Sequence, residues 1–264
     1  MHSLPTLLQF AETISREAGK VLARRPKTYD NINAEPPDDV KLQADVETEN
    51  IVRQHLAQSS SLPIIGEEHG GDASLIAGKE LFWIVDPLDG TYNYLRQIPL
   101  CCVSIGLFRG LEPVLGVIYD FNRDELFSAI VEQGDLLLNG EPCQPKWEKQ
   151  IERAIFTTGF PSSADLARLG SERFARRLEA FKKVRMIGSA ALALAHVAVG
   201  RYDLYQEERI YLWDIAAGMA LVNAAGGTCQ LTPRPNDPLA YTLWAGADSA
   251  LWEALMNRAP LKTR

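Results

Sequence analysis

The 264-residue chain has only four cysteines, and their placement excludes a disulfide framework: Cys101 and Cys102 are adjacent, while Cys143 and Cys229 stand alone. None has metal-ligand spacing, so all four read as buried thiols of a reducing compartment, and a cytoplasmic location is expected. No block of lysine and arginine occurs, and the net charge is −7. A nucleic-acid partner is therefore not expected. Long apolar runs are also missing. Ala190 to Val199 is too short to cross a bilayer, and the N-terminus lacks a basic start, an apolar run and a small-residue cleavage site. No membrane partner is expected, and no internal repeat or low-complexity tract is found. What is present is 46 % apolar residues, ample for a buried core.

The densest chemistry lies between Leu81 and Pro99. Leu81 to Val85 is an apolar and β-branched run that predicts a buried strand ending at Asp86. Pro87 fixes its own φ and donates no hydrogen bond, which predicts a turn there. Asp86 and Asp89 then point to one side with the Leu88 carbonyl between them, the outline of a hard-cation site. Gly90 permits a backbone that a Cβ would forbid, and Thr91 could open a short helix with free amides facing the same hollow. Taken alone, the same residues also suit an ordinary Asp-Gly turn.

Three further stretches bear acidic residues. Pro63 to Glu68 predicts a strand ending in two glutamates, of which one faces the site and the other is solvated or a neighbour of the ligands. His69 opens a glycine-containing loop, Gly70 to Lys79, that reads as a mobile flap, and magnesium prefers oxygen to its imidazole. Asp45 stands where it could N-cap a helix carrying Val46, Ile51, Val52 and Leu56. Asp214 occupies the first turn of a helix with the stripe Ile215, Met219 and Val222, ending at Gly226-Gly227.

Around these, Leu7, Ala11, Ile14, Ala18, Val21 and Leu22 predict an N-terminal helix, ended by Arg24-Arg25-Pro26. The runs CVSIGLF, EPVLGVIYD, ELFSAIVE and LLLNGEPC predict an antiparallel meander. After the connector Cys143 to Glu152, strands alternate with helices: AIFTT, helix Ala164 to Phe181, KVRMIG, helix Ala190 to Val199, YDLYQE and the helix from Trp213. The fold class is thus α+β passing to α/β. Two domains are expected, 1–146 with the antiparallel sheet and most acidic residues, and 147–264 completing the site.

GEEHGG (Gly66 to Gly71), WIVDPLDGTYN (Trp83 to Asn93) and WDIAAG (Trp213 to Gly218), in that order, resemble the motifs of the inositol monophosphatase family. The resemblance implies a layered α-β-α-β-α sandwich of the type shared with fructose-1,6-bisphosphatase. It also implies a magnesium-dependent, lithium-sensitive phosphomonoesterase, commonly a homodimer, acting on a small phosphate ester. Two or three Mg²⁺ ions are implied, held by Glu67, Asp86, the Leu88 carbonyl, Asp89 and Asp214. Glu67 and Thr91, the latter tied to Asp45, would orient the attacking water, and the Gly90 and Thr91 amides would hold phosphate. A lysine in the loop after the first helix comes near the metals in the family, and here Lys27 and Lys41 are both candidates. The implied substrate is a polyol or sugar phosphate, with inositol 1-phosphate first. Fructose 1,6-bisphosphate, histidinol phosphate and 3′-phosphoadenosine nucleotides are the alternatives within the family. Gly188, Ser189 and Ala190 would line the sugar pocket through their backbone. Glu207, or Glu208 beside it, would receive ring hydroxyls, unless the pair is an ordinary solvated strand end. A reading of another class is a catalytically idle protein that binds a macromolecule.

Overall fold

A computed structural model describes residues 2–35, 40–159, 175, 178–235 and 237–257. Helix α1 (Leu4–Arg24) starts where the Ser3 hydroxyl accepts the Thr6 N–H, and it buries Leu7, Ala11, Ile14, Ala18 and Leu22. A two-stranded ribbon, β1 (Ile32–Ala34) and β2 (Lys41–Leu42), leads into α2 (Gln43–Ser59). Asp45 is therefore not the N-cap. It sits in the first turn, and its carboxylate reaches back 2.7 Å to accept the Leu42 N–H, the returning half of a capping box.

A seven-stranded sheet follows: β3 (Ile64–Gly66), β4 (Leu81–Asp89), β5 (Cys102–Arg109), β6 (Glu112–Asp120), β7 (Glu125–Ile130), β8 (Asp135–Leu138) and β9 (Glu141–Pro142). The strands lie in sequence order, with β3 parallel to β4 and the rest an antiparallel meander, as expected. The chain does not leave β4 at Pro87. Pairing with β5 continues to Asp89 across a register shift between Asp86 and Asp89, because a bulge takes in a residue that cannot donate to the ladder. The short helix α3 (Thr91–Leu95) connects β4 to β5.

The second half has β10 (Ile155–Thr157), β11 (Lys183–Arg185), helix α4 (Ala190–Ala198), β12 (Leu204–Tyr211), helix α5 (Leu212–Ala224), β13 (Thr228–Arg234), β14 (Asp237–Gly246) and helix α6 (Ala250–Met256). Its five strands run β11-β10-β12-β14-β13, the first three parallel and the hairpin antiparallel. The sequence reading did not anticipate that hairpin. Of the helix expected over Ala164 to Phe181, residues 164–174, 176 and 177 lie outside the described residues, and 175 and 178–180 are helical.

The layers follow from which strand face is apolar. Trp83, Val85, Val103, Ile105 and Leu107 bury against α1 and α2, while Phe82, Ile84, Cys102, Phe108 and Phe127 bury against α4 and α5. Tyr205, Tyr241 and Leu243 of the second sheet close on the same two helices, and Phe156, Leu204 and Trp244 pack with Leu251 and Leu255 of α6 on the far face. This is the layered α-β-α-β-α arrangement. In the loop Gly70 to Lys79, expected as a flap, Ala73–Ala77 form a 3₁₀ turn whose half-buried Leu75 and Ile76 rest on the core.

One contact sets how closely α5 approaches the first sheet. Gly106 and Gly116 are direct partners on β5 and β6, and α5 lies on them at backbone distance. A Cβ at Gly116 would stand 2.9 Å from the Ala217 Cα and one at Gly106 3.2 Å from the Ala217 N. Gly116→Ala should consequently cost about 1–3 kcal/mol by overpacking. A urea denaturation midpoint equal to the parent's would show that the helix has room to move.

Candidate active site

Three acidic side chains from three separate elements meet. Glu67 comes from the turn after β3, Asp86 from β4 and Asp214 from the first turn of α5, each offering a carboxylate oxygen, and these oxygens lie within 4.8 Å of one another. Asp86 is buried, and its Oδ1 accepts the Leu88 N–H at 3.0 Å, which bends the bulge around it. Asp214 accepts the Tyr211 N–H at 2.9 Å, so the start of α5 orients the carboxylate that it carries. Both glycine-backed strands lie beneath that helix, and this is how Asp214 reaches β4.

Beside this group the Thr91 hydroxyl lies 2.9 Å from Asp45 Oδ1 and 3.1 Å from the Leu88 carbonyl. The expected Asp45–Thr91 pair is present. With its proton directed at Asp45, the Thr91 oxygen keeps a lone pair with which to accept a hydrogen bond from water. Gly90 has φ +93°, and a Cβ there would meet the Leu100 carbonyl at 2.8 Å, so only glycine allows this turn. As the opening residues of α3, Thr91 and Tyr92 have amides with no acceptor inside the helix.

Asp89 is not one of the three. Its carboxylate turns to the start of α4, where it accepts a short hydrogen bond from the Ser189 hydroxyl and the amides of Ala191 (2.7 Å) and Ala190 (3.2 Å). Of the three residues expected to line a sugar pocket, Ser189 and Ala190 donate to Asp89 through the hydroxyl and the amide, and the Gly188 carbonyl accepts from Asn93 Nδ2 at 3.2 Å. Asn93 also donates to Ile187 and Leu100, at 2.7 and 2.8 Å, tying α3 to the start of α4. The sequence reading quoted Asn93 only as a motif letter. Ile187 and Gly188 lie 94 and 95 residues away, so no local signal marked the tie to α4.

Of the two candidate lysines, Lys41 is the one that arrives, its Nζ 3.3 Å from Glu67 and 2.5 Å from Glu68. Glu68 is accordingly an ion-paired side chain, 7 % exposed, rather than a solvated one. Glu207, too, is not a solvated strand end. It accepts from the Tyr205 hydroxyl at 2.8 Å and from the Gly159 N–H, and it faces Asp89 and Asp214. Glu208 sits at the edge of a register shift, where Arg209 takes φ +62°.

Burial, with repulsion from neighbouring carboxylates at several of them, raises Asp45, Asp86, Asp89, Glu207 and Asp214. Asp86 stands well above the ordinary carboxylate range through burial, then the charges of Glu67, Asp89 and Asp214. Asp214 is raised by burial and then by Glu67 and Asp89. Burial also raises Asp89, against its bonds from Ser189, Ala191 and Ala190. It lifts Asp45 and Glu207 to about 7 each, against hydrogen bonds from Leu42 and Thr91 in the first case and Tyr205 in the second. Burial opposes the charge on Lys41, but Glu67 and Glu68 hold it above the ordinary lysine value. A donor set of carboxylate oxygens without histidine or cysteine suits a hard divalent cation, and bound positive charge would relieve the repulsion.

The profile of the Inositol monophosphatase family matches residues 3–260. "Inositol monophosphatase 2" of Solanum lycopersicum is 37 % identical over 219 residues, covering 81 % of this chain and 82 % of the relative. "Nus factor SuhB" of Xylella fastidiosa is 37 % identical over 217 residues, covering 81 % and 77 %. The structure of the inositol monophosphatase from Anabaena (Nostoc) sp. superposes with a TM-score of 0.80 at 33 % identity, covering 98 % of each chain.

Raised carboxyl pKa values carry a sign for stability. The folded state favours the protonated forms, so their contribution is complete below the unfolded value near 4 and is lost as pH rises through the folded values. In a chelator, the denaturation midpoint should therefore fall between about pH 4 and pH 8, a window that includes Asp45 and Glu207 at about 7. Asp86→Asn should flatten that fall and raise the melting temperature at pH 8, by about 2–4 °C per kcal/mol of relieved repulsion. A parent midpoint constant over this range would contradict the electrostatic reading.

Proposed function

The chain belongs to the inositol monophosphatase family, and from that premise we propose that it is a phosphoric monoester hydrolase of a polyol or sugar phosphate, inositol 1-phosphate first among them. The observation that carries the proposal is the meeting of Glu67, Asp86 and Asp214 oxygens within 4.8 Å beside the 2.9 Å Thr91–Asp45 hydrogen bond. Glu67, Asp86, the Leu88 carbonyl and Asp214 would hold magnesium, two or three ions in all, with Asp89 contributing the lone pairs that Ser189, Ala190 and Ala191 leave free. Bound there, magnesium supplies charge to the phosphoryl oxygens, an acidified water and neutralisation of the leaving alkoxide.

The remaining work falls to the chain itself. Thr91, its own proton held by Asp45, accepts from the water and fixes its direction, and Glu67 is the second acceptor beside it. The Gly90 and Thr91 amides bind phosphate oxygens at the start of α3. Lys41, paired with Glu67 and Glu68, holds positive charge at the rim. Glu207 accepts substrate hydroxyls, a task for which a buried carboxylate already aligned by Tyr205 is suited. Sensitivity to lithium and a homodimeric state belong to the same proposal.

A second reading, a catalytically idle macromolecule-binding protein, draws on the name of the Xylella relative, Nus factor SuhB. The assembled carboxylates favour catalysis over it. Phosphate release measured on a panel of inositol 1-phosphate, fructose 1,6-bisphosphate, histidinol phosphate and 3′-phosphoadenosine nucleotides, with magnesium and with chelator, decides between them. Magnesium-dependent turnover is expected, and none on any substrate would sink the enzyme reading.

Two substitutions test the roles. Thr91→Ala should lower kcat about 100-fold with little change in KM. Equal kcat would reduce Thr91 to a helix start. Glu207→Ala should raise KM for a polyol phosphate about tenfold or more, and for p-nitrophenyl phosphate far less, because charge-assisted hydrogen bonds contribute about 1.5–3 kcal/mol. Glu208→Ala is the companion control. If both leave the ratio of the two specificity constants at the parent's value, hydroxyl recognition by this strand is wrong.

A further inference from the structure

Glu49 has no part in the chemistry above, yet its carboxylate is completely buried beneath the turn that bears Glu67. Its Oε2 accepts the Glu68 N–H at 2.7 Å, and its Oε1 accepts the His69 N–H at 3.2 Å and Arg53 Nε at 2.6 Å. Arg53 then donates through Nη2 to the Gly70 carbonyl at 2.6 Å, and that same carbonyl accepts the Gly66 N–H at 3.0 Å. The Glu68 and His69 amides and the Gly70 carbonyl are thus held, directly or through one guanidinium, by one carboxylate, while the Glu67 N–H between them and β3 donates to the Val85 carbonyl at 3.2 Å. Gly66 leaves no slack, since a Cβ there would stand 2.7 Å from Glu49 Cδ.

Glu49 is one helical turn after Asp45 on α2, so the two side chains leave the same face. Asp45 holds Thr91, and Glu49 holds the turn that presents Glu67. The two groups that flank the water in the function proposed above are therefore referred to a single rigid helix. We propose that Glu49 is a positioning residue, which sets the Glu67 carboxylate for cation binding through the amides of Glu68 and His69. The inference rests on the cation-site reading of Glu67. A buried carboxylate that accepts two amides and one guanidinium cannot be replaced by an amide: Glu49→Gln puts an NH₂ against an N–H donor and leaves that donor unsatisfied.

The test is magnesium affinity measured by calorimetry on the full chain, without substrate, in Glu49→Gln, Glu67→Gln and the double variant, with circular dichroism as the check on folding. Gly66→Ala, which presses on the Glu49 carboxylate while leaving it charged, is the second route to the same displacement and replaces Glu49→Gln if that variant does not fold. Folded Glu49→Gln should bind magnesium about 10–100-fold more weakly, the usual scale for a group that orients a metal ligand. Adding Glu67→Gln to it should then cost less than about twofold, because Glu67 is already out of place. A folded variant with the parent's affinity, or one in which Glu67→Gln still has its full effect, overturns the proposal and leaves Glu49 a structural clamp. If Glu67→Gln leaves the parent's affinity unchanged, the cation-site reading fails and the positioning role fails with it, a result distinct from additivity of the two changes.

Discussion

Repulsion between buried carboxylates is the constraint to which the rest of this structure answers. The charges of Glu67, Asp89 and Asp214 help to raise Asp86, those of Glu67, Asp89 and Glu207 help to raise Asp214, and that of Asp89 helps to raise Glu207. In water such groups would separate, because like charges near 4 Å repel by about 1 kcal/mol even at full solvent screening and by several times that near a protein surface. The fold prevents separation by giving each its own anchor: a bulge for Asp86, the turn after β3 for Glu67, helix starts for Asp89 and Asp214, and strand β12 with the Tyr205 hydroxyl for Glu207. The helix starts do more than hold. Their free amides donate to the carboxylates, so part of the negative charge is met by backbone dipoles before any cation binds.

Legibility in the sequence follows the reach of each interaction. Asp86, Gly90 and Thr91 could be placed because strand, bulge and helix start lie within six residues of one another, and short-range sterics dictate them. The helix carrying Asp214 was visible from its stripe and its terminal glycines. Asp45 and Thr91 were paired by resemblance, and the structure brings them together. What was not legible depended on distant partners. Asp89 accepts hydrogen bonds from Ser189, Ala190 and Ala191, a hundred residues on. The segment Gly70 to Lys79 has the composition of a loose loop, yet Leu75 and Ile76 find the core. Pro87 reads as a breaker, but a bulged strand admits it.

The same contrast applies to Glu207 and Glu208. Alternation along β12 allows either glutamate to face inward, and only the register with β14 and the shift at Arg209 decide which does. Asn93 and Glu49 illustrate a different limit. Neither has unusual neighbours in sequence, and both act on backbone atoms of other elements, which no pattern of residue types encodes. Spacing of four from Asp45 along α2 was the one available hint for Glu49.

The seat of α5 on Gly106 and Gly116 has a mechanical meaning. At this seat the nearest atoms of the helix are backbone atoms and alanine Cβ atoms, so no side chain there can change rotamer and alter the spacing. The gap between Asp86 on the sheet and Asp214 on the helix therefore behaves as a stiff gauge. Warming, pressure or substitution elsewhere in the core will be taken up by softer contacts first. An ion held between Asp86 and Asp214 would meet a span that does not adjust to its radius, and the cost of a poor fit would be borne by the ion's coordination shell and not by the protein.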